Sequence, residues 1–220
     1  RVRYEWLASV AAELGARLIA TGHTADDQAE TVLHRLIRGT GLQGLRGIAP
    51  VRDAILRPLL TLSRADLLDY LATLNQPFRT DSTNADTTFT RNRIRAELLP
   101  LLRTFNPGIV DVLGRLSVQA EELFAEQEAE TVELLRNVEL PRAGETLILD
   151  AEKLTALGEA KTRRVLRMLW DREGWPVNAM TFDHWRRAAM IALDQHPAAD
   201  FPDGVHVRRA GKVVQLARRV

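Results

Sequence analysis

The hydrophobic pattern changes period several times along the chain, and those changes mark out its elements. Tyr4, Leu7, Ala8, Ala11 and Leu14 recur at helical spacing, and Gly15 ends that run. The apolar stretch Leu18-Ile19-Ala20 reads as a buried parallel strand. A period of 3.6 returns at Ala29, Val32, Leu33, Leu36 and Ile37, with Thr24 as N-cap and Asp27 as the acidic member of a capping box. Helix, glycine, strand, helix is the rhythm of a doubly wound sheet. One strand cannot make a sheet, so its partners are expected to be missing or to lie upstream of Arg1. A chain that opens on Arg1 in mid-helix is accordingly expected to be truncated at its N-terminus.

Further along, Ile55-Leu56-Arg57-Pro58-Leu59-Leu60 reads as an edge strand or its exit, because proline ends the ladder. Ser63-x-x-Asp66 caps a helix carrying Leu67, Leu68, Leu71 and Leu74, which Asn75 and Pro77 stop. Another helix opens at Thr90. Asn106-Pro107-Gly108 is expected to mark a boundary, dividing the chain into residues 1–105 and 106–220. Beyond it, Ile109, Leu113, Leu116, Ala120, Leu123 and Phe124 define a long amphipathic helix that continues to Leu134 and Leu135. Thr146–Leu149 is a short strand, Asp150 starts a helix, and Val205–Val207 with Val213–Leu216 form a β-hairpin around Ala210-Gly211. The class is α/β, a doubly wound parallel-sheet part followed by a mainly helical domain.

Composition narrows the chemistry. A chain of 220 residues can bury a sizeable core. The net charge of +1 confines any nucleic-acid footprint to a local patch. With no cysteine there are no disulfides, no thiolate-bound zinc and no thiol nucleophile, which fits a reducing cytoplasm. No apolar run approaches the roughly 20 residues of a membrane span, and no signal peptide is visible.

The densest chemistry lies in Thr21-Gly22-His23-Thr24-Ala25-Asp26-Asp27-Gln28-Ala29-Glu30-Thr31. His23 falls at the carboxyl end of a strand, where open α/β sheets bind ligands. Asp26, Asp27 and Glu30 follow on the first turns of a helix. The macrodipole alone favours acids there, and capping needs one of them. Adjacent Asp26 and Asp27 point to different sides, and a cluster of three carboxylates suits a hard cation such as Mg²⁺. Next, Arg38-Gly39-Thr40-Gly41-Leu42-Gln43-Gly44-Leu45-Arg46-Gly47 holds four glycines, more than a helix stop and loop require. Flanking arginines make it a candidate phosphate contact. Arg91, Asn92 and Arg95 share one helix face, and basic residues at a helix start call for an anion nearby, either Asp81 or a substrate.

Taken together, these segments resemble the tRNA(Ile)-lysidine synthase family of PP-loop ATP pyrophosphatases. The matching stretches are Thr21-Gly22-His23 with Asp26–Thr31, Arg38–Leu42, Arg57–Leu60, Asp81-Ser82-x-Asn84, Arg91-Asn92-x-x-Arg95 and Leu98-Leu99-Pro100. The resemblance implies a PP-loop (adenine nucleotide alpha hydrolase-like) domain followed by a helical substrate-binding domain. It implies a carbon–nitrogen ligase that uses ATP and Mg²⁺, with L-lysine and a tRNA(Ile) bearing a wobble cytidine as partners, a homodimer as the assembly and no membrane. His23, Asp26, Asp27 and Glu30 become the catalytic candidates, with the three carboxylates as metal ligands. Arg38, Gly39, Thr40, Gly41, Arg57, Asp81, Ser82, Asn84, Arg91, Asn92 and Arg95 become the nucleotide- and substrate-binding set. The family's S-G-G-x-D-S phosphate loop has no counterpart here, and no Gly-Gly pair occurs. This chain by itself is therefore expected to be inactive.

Lys161, Arg163, Arg164 and Arg167 cluster near Trp170, Trp175 and Trp185. Cations interleaved with aromatics bind single-stranded RNA, phosphates on the cations and bases on the rings. Val165, Leu166, Leu169 and Trp170 also form a stripe that reads as core, which leaves the arginines exposed and the tryptophans inside. Two other functions remain open on the residues alone: a non-catalytic RNA-binding remnant, and a metal-dependent phosphohydrolase using His23, Asp26 and Asp27.

Overall fold

The computed structural model describes residues 2–79 and 88–218. They form two compact units, Arg1–Phe124 and Ala125–Val220. In the first, helix α1 (Val2–Glu13) leads to strand β1 (Ile19–Ala20). β1 pairs in parallel with β3 (Ile55–Leu56), and β3 pairs antiparallel with β2 (Val51–Arg52), giving the order β1-β3-β2. A partner for β1 therefore lies downstream in this chain, and Ile55–Leu56 is the middle strand rather than an edge. Pro58 falls beyond the paired residues, so its missing N–H costs the ladder nothing.

Helix α2 (Ala25–Ile37) starts at a complete capping box, with the Thr24 side chain accepting from Asp27 N and Asp27 Oδ2 accepting from Thr24 N. Its inner face buries Ala29, Val32 and Leu33 against Ile94, Leu99, Val110 and Leu113. A short helix α3 (Leu42–Leu45) follows. Helix α4 (Arg64–Thr73) has its own box from Ser63 and Asp66, and Asn75 just past its end takes a positive φ of 49°. Helix α5 (Thr90–Arg93), a π-helical turn (Ile94–Leu98) and helix α6 (Leu99–Phe105) run on from one another. Pro100 accounts for the wider turn. It has no N–H and its ring crowds the carbonyl four residues back, so the preceding residue, Leu99, donates five back to Ile94 instead.

The glycine-rich loop is held from α2. Arg35 Nη1 donates to the carbonyls of Gly44 and Gly47 at 2.9 and 2.8 Å. The Gln28 amide donates to Ser117 Oγ at 2.9 Å and accepts from Ile48 N at 2.6 Å. A Cβ on Gly47 would lie 2.5 Å from Gln28 Oε1, at a φ of +63°. Gly47→Ala is thus expected to destabilise the first unit by about 2 kcal/mol, combining left-handed strain with a displaced buried amide. Chemical denaturation measures it, and a change under 0.5 kcal/mol would contradict this packing role.

The division between the units falls within helix α7 (Ile109–Val138). In the second unit, strands β4 (Glu139–Ala143) and β5 (Thr146–Asp150) precede helices α8 (Ala151–Arg172) and α9 (Phe182–Ala192). Strands β6 (Ala199–Phe201), β7 (Val205–Ala210) and β8 (Val213–Arg218) complete an antiparallel sheet ordered β4-β5-β8-β7-β6. The expected hairpin is present, as two strands of five. Asp150 caps α8 by accepting from Glu152 N and Lys153 N. Trp170 is fully buried, edge-on to Trp175, Trp185 and Phe201 at 4.9, 5.4 and 5.9 Å. Trp170 and Trp185 are core, as the apolar stripe implies, and Trp175 packs against them partly buried. Among the described residues, no helix is long and apolar enough to cross a membrane.

Candidate active site

The carboxyl end of β1 opens onto a cavity of about 310 Å³ lined by Arg3, Gly22, His23, Asp27, Arg91, Asn92 and Arg95. Strand pairing sets its floor: Thr21 N donates to Leu56 O at 2.9 Å, which fixes where His23 leaves the sheet. Thr21 Oγ1 lies 2.9 Å from His23 Nδ1 and 3.4 Å from Leu56 O. With the hydroxyl proton on the carbonyl, Nδ1–H donates to Thr21 and Nε2 keeps its lone pair. Burial holds the imidazole below its ordinary value of 6.5; Asp27 opposes this, and Arg57, Arg3 and Arg91 reinforce it. His23 is therefore neutral at pH 7.

The first two turns of α2 meet the α5–π–α6 segment through a four-membered ion cluster. Glu30, only 1% exposed, accepts from Arg95 Nε at 2.5 Å, Arg95 Nη2 at 2.9 Å and Arg91 Nε at 3.1 Å. Asp27 Oδ1 accepts from Arg91 Nη2 and Arg95 Nη2 at 3.1 and 3.3 Å. The hydrogen bond to Glu30 holds the Arg95 guanidinium above even its usual high range. The anion that the basic helix start calls for is this pair of carboxylates. Two charges of each sign are gathered here; Arg91, Arg95 and Asp27 line the cavity, and Glu30 is buried behind them.

Asp26 is turned elsewhere. Its Oδ2 accepts from Arg64 N at 2.7 Å and its Oδ1 from Arg103 Nη2 at 2.7 Å, tying α2 to the starts of α4 and to α6. Among the described residues, no group of three or more His, Cys, Asp and Glu is arranged to hold a metal ion. The three carboxylates do not fit a directly bound Mg²⁺: each already accepts from arginine or backbone, and Asp26 faces away from the other two. Arg57 is buried with Nη1 donating to Ala49 O at 2.7 Å, and it does not line the cavity.

Arg38, Gly39, Thr40 and Gly41 are not brought to His23. They follow the last residue of a 13-residue helix, about 20 Å along its axis from the first turn. Gly39 takes a φ of +78° where α2 ends, and Gly41 caps α3. Asp81, Ser82 and Asn84 lie outside the described residues. Arg3, on α1, is a cavity residue that the sequence pattern did not single out, because an exposed arginine on a helix carries no signal of its own.

In the second unit, Lys161 Nζ and Arg164 Nη2 each lie 2.6 Å from Glu130. These bonds hold the Glu130 carboxyl below its ordinary range. Arg163 Nη1 is 3.4 Å from Glu159, and Arg167 is exposed on the same helix.

The PP-loop domain family matches residues 1–102, and the TilS substrate binding domain matches residues 149–214. The tRNA(Ile)-lysidine synthase of Geobacter sulfurreducens is 36% identical over 100% of this chain and 48% of its own length. That of Symbiobacterium thermophilum is 41% identical over 99% of the chain and 48% of its length. That of Rhodopirellula baltica is 32% identical over 89% and 55%. The chain spans about half the length of these relatives. With a PP-loop match ahead of a substrate-binding match in one chain, and relatives of one kind along its whole length, the chain is similar to the tRNA(Ile)-lysidine synthases over about half of their length.

Proposed function

We propose that this sequence serves an ATP-dependent carbon–nitrogen ligase that forms lysidine on tRNA(Ile). ATP adenylates the 2-carbonyl oxygen of the wobble cytidine and releases pyrophosphate. The ε-amine of L-lysine then attacks that carbon, and AMP leaves with the oxygen. The observation that carries this reading is a cavity at the end of a PP-loop strand where neutral His23 faces the Arg91–Arg95–Asp27–Glu30 cluster. Arg91 and Arg95 suit phosphate oxygens or the adenylate. His23 is positioned to take the proton that the lysine amine sheds. Mg²⁺ would neutralise the ATP phosphates; Asp26, Asp27 and Glu30 are otherwise engaged, and no step here passes through it.

In this reading residues 1–105 belong to the ligase and 106–220 to substrate binding, with Lys161, Arg163, Arg164 and Arg167 on the RNA. Arg38–Gly41, Arg57, Asp81, Ser82 and Asn84 would serve elsewhere on the nucleotide or cytidine surface. A tRNA substrate puts the enzyme in the cytoplasm, and a homodimer is the proposed assembly. The pH profile of lysine transfer by the intact synthase tests the role of His23. Because burial lowers its pKa, the acid limb is expected to have its midpoint below 6.5. His23→Gln should abolish that limb and slow the step by about 10²–10⁴. An unchanged limb in the variant would remove His23 from the reaction.

A further inference from the structure

Phe182 opens α9 and is 64% exposed, more than any other large apolar side chain among the described residues of the second unit. It is in phase with the buried stripe of Trp185, Ala189 and Ala192, yet it lies at the first turn, beyond the core. Its ring is not bare. The Arg163 guanidinium sits 4.8 Å from the ring centroid, within cation–π range. Arg186, one turn along α9, is 56% exposed on the same face. Glu159 is the acid between them, 3.4 Å from Arg163 and 3.8 Å from Arg186. Asp183 follows Phe182 in the chain and points about 100° round the helix. One carboxylate thus steadies two cations beside an exposed aromatic face.

Beyond its contact with Arg163, an exposed phenylalanine at the first turn buries little apolar surface for the fold. The combination suits a flat, electron-rich partner joined to an anionic backbone, which is the chemistry of an unpaired nucleotide: the base stacks on ring or guanidinium, and the phosphate meets a cation. We propose that Phe182 and Arg163 form a stacking platform for an unpaired base of the bound RNA, with Arg186 on the adjacent phosphate. This rests on the tRNA-binding reading and adds to it a specific subsite.

Stacking and phosphate neutralisation respond differently to salt, which makes the platform testable. Binding of tRNA to the purified chain is measured by fluorescence anisotropy across a salt series, for the wild type, Phe182→Ala, Phe182→Tyr and Lys161→Ala/Arg164→Ala. Phe182→Ala is expected to weaken binding about tenfold at every salt concentration and to leave the log–log slope unchanged. Phe182→Tyr should restore binding to within about twofold, since a tyrosine ring also stacks. A fully paired RNA duplex should not distinguish Phe182→Ala from the wild type. Wild-type affinity in Phe182→Ala, with an unchanged circular dichroism spectrum, overturns the platform while sparing the tRNA reading. An equal loss on duplex overturns stacking as its basis. If the wild-type chain binds no tRNA while Lys161→Ala/Arg164→Ala behaves identically, the tRNA reading itself fails, and the platform with it.

Discussion

Asp27→Ala in the intact synthase is expected to lower ATP–pyrophosphate exchange by about a hundredfold or more, entirely in kcat. The geometry separates this from a binding defect. Asp27 Oδ1 holds both Arg91 and Arg95 at the cavity. Without it the cavity becomes more positive, so the KM for ATP should not rise. What is lost is one of the two carboxylates that aim the guanidinium groups, Glu30 being the other, and removing one positioned electrostatic partner typically costs about 10²–10³ in kcat, on the order of 3–4 kcal/mol. Asp27 also completes the α2 capping box, so the variant should lose about 1 kcal/mol of stability, far too little to explain the kinetics. Affinity for tRNA should stay within about twofold, because phosphate contacts elsewhere dominate it. Normal exchange accompanied by lost tRNA binding would reverse the assignment.

The largest effect on stability is expected at Trp170. Trp170→Ala removes a fully buried ring that three aromatic neighbours meet edge-on, and should cost the second unit about 3–5 kcal/mol. Trp170→Phe should cost about 1 kcal/mol or less. Trp170 Nε1 is buried with no hydrogen-bond partner among the described residues. Phenylalanine gives up some volume and also removes that unsatisfied donor. Denaturant unfolding followed by circular dichroism compares the two. Equal losses would mean that the indole N–H has a partner after all.

What could be read in advance follows the range of each interaction. The capping boxes at Thr24 and Ser63 are set by residues three apart, and both were legible. So was the divergence of Asp26 from Asp27, since adjacent helical positions differ by about 100°. Its destination at Arg103 was not, because nothing local marks a partner 77 positions away. The same holds for the anion opposite Arg91 and Arg95: charge at a helix start called for one, and the chain supplies Asp27 and Glu30 from over 60 residues upstream. Strands of two residues, such as β2 and β3, are too short to show alternation. The glycine excess at Gly39–Gly47 divides on inspection. Gly44 and Gly47 leave room for Thr40 and Gln28, while Gly39 and Gly41 end one helix and start the next.

The π turn before Pro100 has a consequence for how this segment can evolve. It holds one residue more than an α-helix of the same rise would need; Arg91 precedes it and Arg95 lies in its first half, while Leu99 and Arg103 follow it. Deleting a single position would rotate the two arginines by about 100° relative to the buried leucine. Ala96 is exposed, and Glu97 is exposed with an ion pair to Arg93 one turn back, so side-chain identity here is weakly constrained by packing. The length of the segment is not, so drift here should accumulate as substitutions, and a one-residue gap should be purged by selection.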